Sequence, residues 1–584
     1  MPRFASRNRA AIIWLGPLSL LILILATLWL VDPRVGRLWL NSARLASLTC
    51  LIALPFGTFL AAAIFKSDVP GRRAAALLLV GMLFVPLYLV TGAWDAGFGI
   101  QGWHTLSTNP HLAHEPWLAG WRAAIWVHTL AAVPWVVLIV GASLRAVEAE
   151  IEEDAATCAT PQKVMWHVSI RRAAPAIVLA GVWVAIMTTT EISVTDFFQV
   201  RTFAEEVYTQ AALGTFDASG EQGAGSREQE KSADTVVLPV PRSPLPALSA
   251  NGLWSGLLLS TILALTAIVA ASRLLADLSD APHRPPWIWR LKNWRWPTAI
   301  LLWLSLLLVA GVPLGNLLYK AGIQVTVHVA ASLRDADASF GETRLQNRTR
   351  TWSATKAVER LAKAPRDFQG ELWLSAKIGA AAATAALAFA LPLAWSMRTS
   401  LTSAPIQRLP WLRLLALSLC LTIPGPLLGV ATIHLLNRPP DSPFASLAWL
   451  YDSNFAPWLV QTLRALPLAT LILWPALASV PQVMLDTAAT DGSGWWGRLF
   501  RIALPQRWPA AAAAWLVGFA VAIGELAATI LVMPPQRGAT ALSIQIFQLL
   551  HYGVDDRVAA ICLVTVFAVA AVTGIAAALL KRRM

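Results

Sequence analysis

LDTAATDGSGWWGRLFRIALP, residues 485–505, interrupts a chain otherwise dominated by long apolar runs. It reads as two short helices around a turn. Pro481 suits the first turn of a helix, where its missing N–H does no harm. Gly492 suits the left-handed position that ends one. Ala488 and Ala489 are small enough for another surface to approach closely. Ser493-Gly494 turns the chain, Trp495–Ala503 forms a second helix with an apolar stripe, and Pro505 and Pro509 mark entry to the next apolar run. A weaker copy, EEDAATCATPQKVMWHVSIRRAAP, lies at 152–175, where Thr160-Pro161 supplies a cap and a first helical residue.

The rest of the chain explains why these segments stand out. With 56% apolar and 14% charged residues over 584 positions, it is not a soluble globular protein. Apolar runs of about 20 residues, the length of a membrane-spanning helix, recur throughout. Twelve are predicted: 11–30, 45–65, 74–94, 123–144, 173–194, 251–272, 298–319, 372–396, 411–433, 456–478, 508–531 and 557–580. The expected fold class is an all-α polytopic membrane protein. The first run follows Arg3, Arg7 and Arg9, but Trp29–Pro33 offers no small-residue cleavage site, so it reads as an uncleaved span.

Short loops carrying Lys and Arg face the cytoplasm. That places Lys66-Arg72-Arg73, Arg145 to Arg172, Arg273 to Arg295, Arg398-Arg408-Arg413, Arg498-Arg501-Arg507 and the tail Lys581-Arg582-Arg583 inside. The loops 95–120 and 434–455 hold only Arg438 between them and face out. Both termini are then cytoplasmic. The net charge of +13 reflects this topology and gives no argument for nucleic acid as a partner. Many of the 28 Trp lie near span ends, as interfacial anchors do. Cys50, Cys158, Cys420 and Cys562 suggest neither a disulfide framework nor metal spacing.

The two helix–turn–helix segments belong to a larger repeat. Val127–Thr157 aligned with Val460–Thr490 matches at twelve of 31 positions, among them Pro134/Pro467 and the run Ala155-Ala156-Thr157/Ala488-Ala489-Thr490. One inserted residue in the turn then brings Pro175/Pro509, Glu191/Glu525 and Thr195/Thr529 into register. The chain reads as two parallel six-span repeats, 1–278 and 297–584, joined by a cytoplasmic linker at 279–296, with the translocation path on their pseudo-two-fold axis. Residues 215–248 read as a flexible insertion. Within 321–370, Ser353–Leu361 reads as a short amphipathic helix on the outer surface, either contacting a partner or solvated.

The second copy's Asp486-Thr487-Ala488, Gly492 and Ile502-Ala503-Leu504-Pro505 resemble the EAA loop of ABC-importer permeases: E-A-A, three residues, G, nine residues, I-x-L-P. The spacing fits, with Asp for Glu and Thr for Ala. The resemblance implies a fused permease of the type I family, with Glu153, Ala155, Ala156, Asp486, Ala488, Ala489, Gly492, Leu504 and Pro505 docking two copies of an ATPase subunit. It also implies an extracytoplasmic solute-binding protein as partner. The first copy departs from the pattern: Ala159 stands where Gly492 is, and Arg171 where Pro505 is. An amphipathic loop lying on the lipid bilayer is the plain alternative. Residues 190–210 and 524–553 look like the corresponding regions of fused iron(III)-importer permeases, with thiamine, polyamine and sulfate permeases as relatives. No G-x-x-x-x-G-K-[ST] phosphate loop and no catalytic constellation occurs in the sequence, so ATP hydrolysis is expected on a separate chain and no cofactor is implied.

Glu191 and Glu525 fall about 16 residues past equivalent prolines, hence roughly 24 Å along their spans. Carboxylates there need a wet cavity or a partner. They and Thr195 and Thr529, expected one turn further on the same helix faces, are candidates for the translocation path. The competing reading makes each Glu a helix cap or the partner of an Arg. A proton- or sodium-coupled secondary transporter using the same carboxylates is the alternative function. His104, His111, His114 and Glu115 share an outer loop; without a fixed scaffold they read as solvated rather than as a metal site.

Overall fold

The computed structural model describes residues 32–108, 116–213, 250–279, 287–328, 347–398, 411–438, 441–534 and 539–581. The expected first span, 11–30, the insertion at 215–248, and His111, His114 and Glu115 lie outside them. The described chain is a helical membrane protein. Among the described residues, seven helices are long and apolar enough to cross a bilayer, and bent helix pairs bring the number of spans to as many as eleven. The other eleven predicted runs each coincide with one of these. Among the described residues the only sheet is the antiparallel pair β1, Ile323–His328, and β2, Asn347–Trp352, with Ile323 opposite Trp352.

Four predicted spans depart from straight helices. The run at 74–94 is Arg72–Met82 followed by Leu87–Phe98, bent by 106°. The run at 411–433 is Trp411–Thr422 followed by Gly425–Leu436, bent by 105°. Both break at a proline, Pro86 and Pro424, whose extended ψ of 142° and 138° begins the next helix. Proline removes a backbone donor and pushes the residue before it out of the helical region. It is not sufficient, because Pro55, Pro134, Pro392, Pro467 and Pro475 sit inside continuous helices. The runs at 173–194 and 508–531 stop early, as Ala174–Thr190 and Trp508–Gly524. Each turns sharply, by 62° and 85°, from the helix before it.

Packing joins the two ends of the sequence. A large apolar cluster brings Leu302, Leu306 and Leu317 of Lys292–Gly322, and Val558 to Val569 of Asp556–Lys581, against Leu79, Leu89 and Trp94. A smaller one gathers Gln369–Met397, Phe455–Ala478 and the second helix–turn–helix around Leu473, Leu477, Leu485 and Leu499. Membrane helices gain little from the hydrophobic effect and rely on close contact through small residues. Gly141 shows this: a Cβ there would lie 2.2 Å from the Phe65 ring.

The amphipathic segment at 353–361 is a longer helix, Ala354–Asp367, with the Ser353 side chain accepting a hydrogen bond from the Lys356 amide. Its Lys356 and Arg360 hold Asp556 at 2.7 and 3.1 Å, tying it to the start of the last span.

Candidate functional site

Two places collect the residues singled out by the sequence. The first is the pair of helix–turn–helix segments. The second copy comprises Gln482–Thr490 and Trp495–Gln506. Gly492 ends its first helix at φ 80°, with the Gly492 amide bonded to the Ala489 carbonyl and the Ser493 amide to the Ala488 carbonyl. This is a complete Schellman cap, which needs a left-handed residue. Asp486, Ala489, Gly492 and Pro505 are exposed, while Ala488 and Leu504 are half-buried. Around them Val483 is 75% and Trp496 57% exposed, with Met484, Trp495 and Phe500 also open. Exposed apolar side chains of this kind meet either a partner or the lipid bilayer.

The first copy comprises Ala149–Cys158 and Pro161–Arg172. Its turn has no left-handed residue: Ala159 is extended at φ −140°. Glu153 is exposed, Ala155 and Ala156 half-buried, and around them one large apolar side chain, Trp166, is 69% exposed among open polar or charged residues, Asp154, Lys163, His167, Arg171 and Arg172. Both copies share a widened π turn in the second helix, Met165–Ser169 and Arg498–Ala503.

Beneath the first copy lies an ion pair that sequence reasoning passed over. Lys66, just past Pro33–Phe65, holds both oxygens of Glu152, which also accepts a hydrogen bond of 2.6 Å from Ser169. Burial pulls the Lys66 amine below the usual lysine range, and Glu152 opposes that shift. The repeat alignment held the signal. Glu152 aligns with Leu485, a core position, so its charge demanded a buried partner.

The second place is a cavity of about 240 Å³ lined by residues from 83–191 and from 421–527. Glu191 and Glu525 line it, from matching positions just after the ends of Ala174–Thr190 and Trp508–Gly524. The carboxylates are not inside a continuous helix, as expected, because the helices end one residue earlier. Each caps the short helix that follows. Glu191 accepts from the Ser193 hydroxyl at 2.5 Å and the Val194 amide at 3.2 Å. Glu525 accepts from the Ala528 and Thr529 amides at 3.0 and 2.9 Å and from the Thr529 hydroxyl at 2.6 Å. A carboxylate at a helix N-terminus satisfies orphan amides and the helix dipole together. Thr195 and Thr529 lie on separate short helices, Ser193–Phe197 and Thr529–Val532, are fully buried and do not line the cavity. The break in each helix removes the shared face on which their placement rested.

Arg464 also lines the cavity. Its guanidinium donates to the carbonyls of Cys420, Leu421 and Ile423 at 3.0, 3.2 and 2.8 Å, closing the end of Trp411–Thr422 at the proline break. The aligned residue in the first half is Ala131, so the cation has no symmetry mate. Phe84, Tyr88, Trp135 and Trp183 complete an aromatic wall. Elsewhere His551 lies 3.2 Å from Asp196, 355 residues earlier in the chain.

With this geometry in place, comparison with known families is informative over one region. Residues 380–584 match the family of binding-protein-dependent transport system inner membrane components. The matched stretch contains the second helix–turn–helix, Arg464 and Glu525. No curated protein matches the chain.

Proposed function

We propose that the chain is the membrane-spanning permease of an ATP-driven, binding-protein-dependent importer. The observation that carries this reading is the family match over 380–584, a stretch that includes the exposed apolar face around Val483 and Trp496. A short helix with small residues on an exposed apolar face suits insertion into a groove on a partner. On this reading the two helix–turn–helix segments face the cytoplasm and each receives one copy of an ATPase. The two halves are six-span units of one fused permease in the inner membrane, and a solute-binding protein delivers substrate at the opposite end. Closure of the ATPases rocks the halves about the cavity between Glu191 and Glu525. The resemblance at 190–210 and 524–553 points to iron(III) among the cargoes of related permeases, with thiamine, polyamines and sulfate as the others.

Affinity purification of the full chain from its native host tests the proposal. A stoichiometric ATPase, and uptake that stops when the ATPase's phosphate-binding lysine is replaced, are expected. Transport into proteoliposomes driven by a proton or sodium gradient without any ATPase would overturn it in favour of a secondary transporter.

A further inference from the structure

The end of Pro33–Phe65 borders another cavity, of about 580 Å³. Three segments wall it: that helix from Leu54 to Ala63, the second helix of the first helix–turn–helix, and residues 289–298 at the start of the next span. Leu54, Thr58 and Ala62 recur at helical spacing, so one stripe of Pro33–Phe65 forms the floor. No charged side chain lines the cavity, and eleven of its fifteen lining residues are apolar, which makes it a poor seat for a solvated solute. Phe59 and Trp166 stand open at its edge.

The third wall is fixed in place. The Trp289 amide donates to the Lys66 carbonyl at 2.7 Å, and the Asp68 amide to the Trp289 carbonyl at 3.2 Å. The Leu291 amide donates to the Asp68 carboxylate at 3.0 Å. The groove is therefore built by backbone pairing, and Lys66 sits at its end as part of the buried pair with Glu152.

Its depth matches one leaflet. From Leu54 to Ala63 the floor runs about 14 Å at helical rise, against a hydrocarbon core of about 30 Å. It ends with the spanning helix, and cations stand at that end. Arg290 lies between the wall residues Trp289 and Leu291, Lys292 follows them, and Lys163 follows Gln162 on another wall. All three are exposed, and among the described residues none of them takes part in an ion pair. Nearby cations are engaged already: Arg72 donates to the Ser67 carbonyl, and Arg172 lies 3.8 Å from Glu148.

An apolar peptide in the groove would leave these three cations unmatched, and a free anion would leave the groove empty. A molecule with an anionic head and a long apolar tail answers both, and a bilayer presents such molecules at this height. Basic side chains at a membrane surface attract anionic lipids for the same reason. We propose that this groove holds an acyl chain of one anionic phospholipid, with the lipid phosphate among Lys163, Arg290 and Lys292. The proposal needs only that the helices span a bilayer and is independent of the permease reading.

The test uses the full chain stripped of lipid in a neutral detergent at fixed ionic strength. Thermal unfolding is followed during titration with phosphatidylglycerol and with phosphatidylcholine carrying the same acyl chains. Glycerol 3-phosphate supplies a headgroup without tails. Saturable stabilisation by phosphatidylglycerol is expected at concentrations about tenfold below those for phosphatidylcholine. Lys163→Gln with Arg290→Gln alters exposed side chains only and should bring the two lipids to the same midpoint. Ala62→Phe fills the floor and should abolish the saturable response to both; where it fails to fold, the charge variant alone decides. Equal midpoints for the two lipids on the native chain overturn the proposal in favour of a non-selective lipid coat. Stabilisation by glycerol 3-phosphate matching that by phosphatidylglycerol overturns it in favour of a free-phosphate site. A phosphatidylglycerol preference that survives the double charge substitution places the lipid elsewhere and also overturns it.

Discussion

Lys66 Nζ lies 2.6 and 2.8 Å from the two carboxylate oxygens of Glu152, and neither side chain has any exposed surface. The pair bolts the first helix–turn–helix to the end of Pro33–Phe65, while in the second copy Leu485 does the same work by apolar packing. A buried ion pair loses heavily when one partner is removed and little when both become apolar. Glu152→Leu alone should therefore destabilise by about 3–5 kcal/mol, because it strands the Lys66 ammonium. Lys66→Met with Glu152→Leu should recover most of that loss, since the chain already uses leucine at the aligned position. Thermal unfolding of the two single variants and the double variant measures the coupling. Purely additive losses would show that the pair is not the anchor.

The two helix–turn–helix segments should contribute unequally to partner binding. Gly492 holds its Schellman cap at φ 80° with open space where a Cβ would go. Gly492→Ala should thus cost about 1 kcal/mol through backbone strain alone. Ala159 is extended, so Ala159→Gly should leave its cap unimproved. The apolar face of the second copy predicts that Ala488→Glu lowers ATPase affinity and uptake more than Ala155→Glu. Equal losses from these two substitutions would refute the asymmetry.

The elements were legible wherever local chemistry decides them. Uncharged runs of span length located every described span, and Gly492 announced its own left-handed turn. The breaks at Pro86 and Pro424 were not legible, because five other prolines remain inside spanning helices. At Pro424 the difference is tertiary. Arg464, more than forty residues away, accepts the burden of three freed carbonyls. The paired glutamates were found by repetition, but spacing along an assumed straight helix misplaced Thr195 and Thr529. Lys66 and Glu152 are 86 residues apart, so their contact is a property of the fold.

The contact between His551 and Asp196 should make the junction of the halves pH-dependent. The hydrogen bond to Asp196 raises the His551 pKa above its ordinary value, against the opposing effect of burial. A raised folded-state value means that stabilisation is complete below the ordinary histidine range and is lost as pH rises through the raised value. The melting-temperature difference between the native chain and His551→Gln should be larger at about pH 5.5 than at about pH 8.5. A difference independent of pH would show that the imidazolium contributes nothing to the junction.

Arg464 should have separable structural and electrostatic roles. Its three hydrogen bonds satisfy carbonyls that the proline break exposes, and bonds to a charged donor are each worth about 1.5–3 kcal/mol. Arg464→Met should leave those carbonyls unpaired and destabilise by roughly 3 kcal/mol or more. Arg464→Lys keeps the charge but lacks the planar fork that spans Cys420, Leu421 and Ile423, so it should recover only part of the stability. The electrostatic role is read differently. Arg464→Gln retains a donor while removing the positive charge, which leaves Glu191 and Glu525 uncompensated. Inhibition of uptake by cations should strengthen in this variant relative to inhibition by anions of similar size. If Arg464→Gln and Arg464→Lys show the same selectivity, the guanidinium acts only as a clamp on the broken helix.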